Sequence, residues 1–400
     1  MTPPLLVTIF DALVFLAVVV PSLLLIRHRN AIPKLPGMKV EPVTLPRLSV
    51  VVPARDEGAT IARAVRSLLG QDYPQIEVIV VDDRSSDATG EILRELAEKD
   101  RRLLTLRVDE LPAGWLGKNH ALWLGAARAS GEWLLFTDAD VVFAPGALGR
   151  AVAYAVAEGL DHLTLAPRLV AHGLALRAFV AFFGYAFIAL WGAYLANDPK
   201  SRRGVGIGAF NLVRRAAYER IGTMRPLSLR PDDDIRLGRR LRGFGFRQRV
   251  LNGNELLSVE WYPSLGRAIS GLEKSMYSSL EYRLLDAVGV LLYLFATMMW
   301  PFAGVVLLGG IDRVLLATVV VCLVAALLET YRQSMSPGLT PSALAIALLL
   351  PSSAACFAWA IIRSVYIAET RGVRWRGTTY PLSLLRAQSG LEGIAANRSR

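Results

Sequence analysis

At 400 residues the chain has room for two or more domains. It is 53% hydrophobic with a mean hydropathy of +0.38, which excludes an ordinary, wholly water-soluble protein. The formal net charge of +11 suits an anionic membrane surface, and no helix-turn-helix, zinc-ligand or stacking-aromatic pattern directs that charge to nucleic acid.

Residues 5–26 are apolar over a length that matches a bilayer core. The neutral flank before them, the long apolar run and the lack of a small-x-small site mark residues 1–30 as an uncleaved anchor. Asp11 lies near the end of that span and is expected to reach the interface. The basic run that follows, with Arg27, Arg29 and Lys34, places the next segment in the cytoplasm. That segment, residues 44–283, is charged and mixed and reads as a soluble domain. "RLSVVVPA" (47–54) is a strand with Pro53 near its end, and residues 60–71 carry apolar positions at helical spacing. A second strand covers 76–83, and a helix over 85–100 has Asp87 as N-cap and Glu91 in its first turns. A third strand covers 103–109, a helix follows Lys118, and a fourth strand runs from Trp133 to Phe136. This alternation predicts an α/β domain with a parallel sheet covered on both faces.

Residues 174–196 are apolar but interrupted by Arg177, Gly184 and Gly192. They are expected to lie in the membrane interface, with aromatic residues including Phe179, Phe182, Trp191 and Tyr194 at headgroup level. Three further apolar stretches, 285–309, 313–328 and 341–362, predict a C-terminal membrane bundle over 284–366. Cys322 and Cys356 both fall within it, so there is no disulfide framework. Three spans after the domain would leave the basic tail, residues 367–400, on the far side. A re-entrant hairpin broken at Pro351 would return it to the cytoplasm.

The chemistry gathers where strands end. Asp56 and Glu57, Asp82 and Asp83, and Asp138 and Asp140 each follow a strand, and in such sheets ligands bind outside the carboxyl ends. The D-x-D spacing of Asp138 and Asp140 suits a shared hard cation, Mg²⁺ or Mn²⁺, that takes phosphate as a further ligand. No G-x-x-x-x-G-K-[ST] run is present, so a metal-bound diphosphate leaving group is simpler than ATP in a P-loop. Such a transfer needs a base for the attacking hydroxyl, and Asp232, Asp233 and Asp234 before a helix are candidates. Crowding raises the pKa of at least one, while the helix N-terminus and nearby arginines pull the other way. His120, His162 and His172 lack ligand spacing and read as structural or surface residues. "GVGIG" (204–208) reads as a place of close backbone approach.

Taken in order, five segments resemble the family 2 glycosyltransferases, inverting nucleotide-sugar enzymes of the GT-A fold. They are "LSVVVPARDEGATIARAVRSLLGQDYP", "EVIVVDDRSSDATGEIL", "GWLGKNHALWLGAARASGEWLLFTDADVVFAPGAL", "GIGAFNLVRRAAYERIG" and "PDDDIRLGRRLRGFG". The flanking apolar stretches resemble the membrane-bound branch that glycosylates lipids, similar to ceramide glucosyltransferase-like, hopanoid-associated and carotenoid-acid enzymes. The resemblance implies a nucleotide diphosphate sugar donor, a lipid acceptor and a multi-pass protein of the cell membrane with its catalytic domain in the cytoplasm. It also implies that Pro53, Glu57 and Asp83 bind the nucleotide, that Lys118 sits near the base or phosphates, and that Asp138 lies toward ribose and metal. Asp140 would be the direct metal ligand, and Asp234 the catalytic base with Asp233 beside it. Processive relatives carry a Q/R-x-x-R-W motif after the base. None lies between Asp234 and the second apolar stretch, which points to single transfer. "RGVRWRGTTY" (371–380) resembles a basic-aromatic tail of lipid-modifying relatives. A processive polysaccharide synthase and a non-catalytic nucleotide-sugar-binding membrane protein are the alternatives.

Overall fold

The computed structural model describes residues 3–27, 32–37, 45–189, 192–335 and 341–388; Arg29 and Trp191 lie outside them. The chain divides into two units. An α/β unit comprises Ile32–Leu169, Leu195–Glu260 and Arg374–Arg400, and a helical unit comprises Met1–Ala31, Val170–Tyr194 and Trp261–Val373.

In the α/β unit the apolar runs become strands: β1 (Leu48–Ala54), β2 (Ile76–Asp83) and β4 (Trp133–Phe136) are buried on both faces, and β3 (Leu103–Val108) is a partly exposed edge strand. Further along come β5 (Val142–Phe143), β6 (His162–Ala166), β7 (Arg168–Val170), β8 (Asn211–Arg214), β9 (Gln248–Asn252) and β10 (Leu257–Glu260). The main sheet has the order β3-β2-β1-β4-β8-β6-β9. The strands from β3 to β4 are parallel, β8 runs antiparallel to both its neighbours, and β6 and β9 are parallel. After β1 the chain winds outward to β3 and then returns to the other side of β1 to lay down β4. The switch point between β1 and β4 is where such sheets open a crevice. Leu48, Val50, Val52, Leu135 and Leu163 fill the core beneath it, each at most 1% exposed. The helix after β2 starts at Thr89, and Asp87 caps it from just outside by accepting from the Thr89 N–H at 3.0 Å.

In the helical unit, Pro4–Leu24, Leu284–Leu307, Gly310–Ser334 and Leu350–Arg371 are long and apolar enough to cross a membrane. Their outer faces are apolar too, Leu285 being 81% and Val306 76% exposed, as expected of helices solvated by lipid. Three sequence expectations change here. The segment around 174–196 groups with these helices and not with the α/β unit. Its helix, Leu174–Ala189, is 16 residues long, short of a bilayer span, and its buried Phe182 packs on Phe357 at 5.7 Å. Asp11 turns inward among the helices. It is fully buried, and Trp300 Nε1 donates to its Oδ1 at 2.8 Å, because a carboxyl withdrawn from water needs a donor. The chain does break near Pro351, between Pro341–Leu348 and Leu350–Arg371, but the second limb is 22 residues long. Pro351 sits in its first turn, where a missing N–H costs nothing.

Candidate active site

The acid pairs at the strand ends divide their work. Asp82 accepts from the Ser85 N–H at 3.0 Å and from Arg107 Nη1 at 2.7 Å, which closes the turn after β2. Asp56, at φ 54°, accepts from the Ser86 N–H at 2.8 Å, and that bond holds its carboxyl below the usual range. These two are structural. Their neighbours face the crevice edge: Asp83 accepts from Arg84 Nε at 2.8 Å and has Arg55 Nη1 at 3.6 Å. Glu57 accepts from Thr60 Oγ1 at 3.2 Å and from Arg376 Nη2 at 2.9 Å. Pro53 is half-buried in β1, paired with Val81 of β2.

At the switch point a lysine binds three acids together. Lys118 Nζ lies 2.9 Å from Asp138 Oδ1 and 3.6 Å from Asp233 Oδ1. Its helix, Gly117–Arg128, is fixed at its start by two contacts to the segment before Asp232. The Leu116 N–H donates to Ser228 O at 2.8 Å, and Asn119 Nδ2 donates to Leu227 O and Arg230 O at 2.5 and 2.9 Å. Burial opposes the ammonium charge, yet Asp138, Asp233 and Asp234 outweigh it and hold Lys118 charged well above its ordinary pKa. Lys118 acts on Asp140 only weakly. Burial first, then the charges of Asp138 and Glu57, push its carboxyl up to about 7.

The three aspartates of "PDDD" have separate roles. Asp232 accepts from Arg230 Nε at 3.1 Å and Arg236 Nε at 2.8 Å. Burial works against its charge, but the two guanidiniums hold it far below the carboxylate range, so it is a structural ion pair and not a base. Asp233 is buried beside Lys118, and burial raises its pKa. Asp234 is half-buried and lines the cleft; its Oδ2 accepts from the Gly208 N–H and its Oδ1 from the Ile235 N–H, both at 2.8 Å. Burial, with Asp138 adding to it, raises Asp234 despite these bonds and despite Lys118. Lys118, Thr137, Asp138, Gly208, Asp233 and Asp234 together line a small open cleft.

The glycine run brings Asp138 and Asp234 to one wall. A Cβ on Gly208 would lie 2.6 Å from Asp138 Oδ2 and 3.2 Å from Asp234 Oδ2. A Cβ on Gly206 would meet Asp234 O at 2.0 Å, and one on Gly238 would meet the Val205 carbonyl carbon at 2.2 Å. The run therefore lies backbone to backbone on the helix Asp233–Gly243. A buried polar network holds it there. Gln248 Nε2 donates to Val205 O at 3.0 Å and to His162 Nδ1 at 2.5 Å, while His162 Nε2–H donates to Asn211 Oδ1 at 3.0 Å. Asn211 Oδ1 also accepts from the Ile207 N–H at 3.3 Å. His162 is thus structural, as its spacing suggests, and His120 packs between Trp115 and Trp123. Asn119, Asn211, Arg230 and Gln248 carry no motif that marks them in sequence.

Among the described residues, no three His, Cys, Asp or Glu side chains come together as a metal cluster. Asp138 and Asp140 make a two-carboxylate donor set, which fits a hard cation that completes its shell with water and phosphate. With Lys118 on Asp138 Oδ1, Asp140 is the carboxylate better able to bind a metal directly. Arg371, Arg374 and Trp375 have the R-x-x-R-W spacing, after the last apolar helix instead of before the second apolar stretch. The motif missing at its expected place therefore occurs elsewhere in the chain.

A known family's model covers part of these residues. The Glycosyl transferase family 2 model matches residues 49–222, a stretch that includes the D-x-D and the glycine run. Among curated relatives, the chain is 38% identical over 103 residues to the 4,4'-diaponeurosporenoate glycosyltransferase of Staphylococcus haemolyticus, covering 26% of each chain. It is 34% identical over 122 residues to the GalNAc(5)-diNAcBac-PP-undecaprenol beta-1,3-glucosyltransferase of Campylobacter jejuni, covering 30% of this chain and 37% of that one. The chain thus spans well under half the length of these relatives. Among solved structures it is similar to the mannosyltransferase PcManGT of Pyrobaculum calidifontis, in complex with GDP-Man and Mn2+. The two share a TM-score of 0.56 and 18% identity over 91% of this chain and 99% of that one, a likeness of fold.

Two stability predictions follow from the glycine run and its network. Gly238→Ala forces apart two backbones and costs roughly 1–3 kcal/mol, whereas Gly243→Ala, near the end of the same helix with open space around it, is neutral or stabilising. Melting of the two variants side by side checks this. Burial depresses His162 from 6.5 to about 4, so its contribution is complete above pH 6.5 and is lost as pH falls through the window down to 4. The loss amounts to roughly 3 kcal/mol from a shift of this size. Melting temperature against pH is expected to fall less steeply over that window in His162→Gln than in the wild type.

Proposed function

We propose that the chain is a metal-dependent, inverting glycosyltransferase that moves one sugar from a nucleotide diphosphate sugar to a membrane lipid. The observation that carries this is the cleft in which Asp234, exposed enough to meet an acceptor, shares a wall with Asp138 across Gly208 and a half-buried lysine. Glu57 and Asp83 mark the edge that receives the nucleoside. Asp140, with Asp138, would hold Mg²⁺ or Mn²⁺, which when bound supplies charge neutralisation to the departing diphosphate. Lys118 adds a fixed positive charge at the same place, because its surrounding acids keep it protonated. Asp234 removes the proton from the acceptor hydroxyl as the new bond to the sugar carbon forms and the bond to the diphosphate breaks. Its raised pKa suits that task, and Asp233 beside it keeps Lys118 in place. Two relatives are named for an undecaprenol-linked saccharide and for diaponeurosporenoate, which supports a lipid acceptor. The R-x-x-R-W spacing at 371–375 favours a second reading, a polymer synthase, in which product length grows with time.

The membrane reading has a counting rule. Arg374 and the residues after it belong to the α/β unit, as do Leu195–Glu260, so a membrane is crossed an even number of times between them. Three candidate spans lie there, and one does not cross fully. Leu350–Arg371 is the weakest, with mean hydropathy 1.3, and Arg363 within it pairs with Glu273. The apolar part before Arg363 is only about 20 Å long at 1.5 Å per residue. The cell membrane with the α/β unit in the cytoplasm is the placement that the basic residues after the first span favour.

In purified protein, Asp234→Asn is expected to keep nucleotide binding and to lose transfer by roughly 10²–10⁴-fold. Asp140→Ala instead weakens nucleotide binding when Mn²⁺ is present and changes it little without metal. Turnover retained in Asp234→Asn would remove the base assignment. In sealed vesicles, single cysteines at Glu98 and Arg386 are expected to react with an impermeant thiol reagent from the same side, and labelling from opposite sides would contradict the even crossing number.

A further inference from the structure

We propose that Arg376 is a residue of the donor site: carried there by a C-terminal hairpin, it binds the donor's diphosphate by exchanging the Glu57 carboxylate for phosphate oxygens. The inference rests on the reading of Glu57 and Asp83 as donor-site residues. Strands β11 (Val373–Trp375) and β12 (Thr378–Tyr380) are joined by a two-residue turn, Arg376 and Gly377, at φ 47° and 84°. Positive φ at both positions is the type I′ hairpin, which prefers Asn-Gly or Asp-Gly. An arginine at the first position is therefore strained, and a strained residue kept at a functional edge points to its side chain.

That side chain reaches Glu57 Oε1 through Nη2 at 2.9 Å and donates through Nη1 to Arg55 O. Its side chain is also 44% exposed, so it is open to an entering anion. The hairpin is held by other atoms than these. Tyr380 Oη–H donates to Trp115 O at 3.1 Å, Gln388 Nε2 donates to Pro226 O at 2.8 Å, and Trp375, Tyr380 and Leu385 are buried. Arg376 can thus leave Glu57 while the tail stays docked. The turn also lies against the second acid of the edge: a Cβ on Gly377 would be 3.7 Å from Arg55 Nη2, and Arg55 Nη1 is 3.6 Å from Asp83 Oδ2, so the guanidinium stands where Glu57 and Asp83 meet. A planar fork of donors matches phosphate oxygens better than a lone carboxylate oxygen.

The full-length protein in detergent with Mn²⁺ is titrated by calorimetry with uridine and guanosine diphosphates and with the corresponding monophosphates. Arg376→Ala is expected to weaken the diphosphate that the wild type binds by roughly ten- to a hundredfold, the range of a lost charge-assisted fork, and to leave its monophosphate within about threefold. Arg376→Lys, which keeps the charge and loses the fork, falls between. Tyr380→Phe, which loosens the hairpin and keeps the guanidinium, is expected to discriminate less between the two ligands than Arg376→Ala. Equal weakening of mono- and diphosphate in Arg376→Ala, or no change in either, overturns the proposal and leaves Arg376 a structural latch. A wild type that binds neither diphosphate overturns the donor-site reading beneath it, and that failure is visible before any variant is made.

Discussion

Lys118 is the charge on which the site depends. Three carboxylates, those of Asp138, Asp233 and Asp234, converge on one side of the sheet where water is largely excluded, and two like charges about 4 Å apart oppose each other by about 4 kcal/mol at an effective dielectric of 20. One ammonium placed among them, 2.9 Å from the first and 3.6 Å from the second, makes the arrangement tolerable. It also leaves the acids unequal. Asp138 is paired, Asp233 is buried behind the pair, and Asp234 keeps access to the cleft. Asp140, two residues from Asp138, feels Lys118 only weakly, and burial and its acid neighbours oppose its charge.

The rest of the α/β unit serves to put that lysine there. The crossover from β3 back to β4 sets the helix of Lys118 against the switch point, and Asn119 ties the same helix turn to the loop that leads into Asp232. From the other side, the glycine run lies flush on the helix Asp233–Gly243, so that Gly208 can separate Asp138 and Asp234 by no more than a backbone. The Arg230–Asp232–Arg236 cluster is buried beneath this wall and anchors it. An acid from the end of β4 and one from a helix start thus meet across Gly208 because the backbone, not the side chains, makes the closest contacts.

Much of this was legible in the residues. The β-branched runs that became β1 and β2 and the acid pairs behind them announced both the sheet and its binding edge, since period and turn chemistry are local properties. The D-x-D and "DDIRL" segments hold Asp138, Asp233 and Asp234, which the fold brings to one cleft. What the residues could not announce was partnership across long separations. Asp232 looks like Asp233 and Asp234 until Arg230 and Arg236 are seen to enclose it. Asp11 reads as interfacial until Trp300, 289 positions away, is found donating to it. The aromatic segment 174–196 has the composition of an interfacial helix, and only its packing groups it with the apolar helices. The basic tail has the composition of a juxtamembrane patch, and only its hydrogen bonds place Arg376 on Glu57.

The central claim is that this cleft moves one sugar from a nucleotide diphosphate to a lipid. Its most direct test is incubation of the purified full chain with Mn²⁺, a panel of uridine and guanosine diphosphate sugars and a membrane lipid extract, followed by mass spectrometry of the lipids. The account predicts one lipid class that gains the mass of a single sugar with one donor, with no further gain over time. A ladder of increasing masses, or donors consumed with no lipid product, would contradict it.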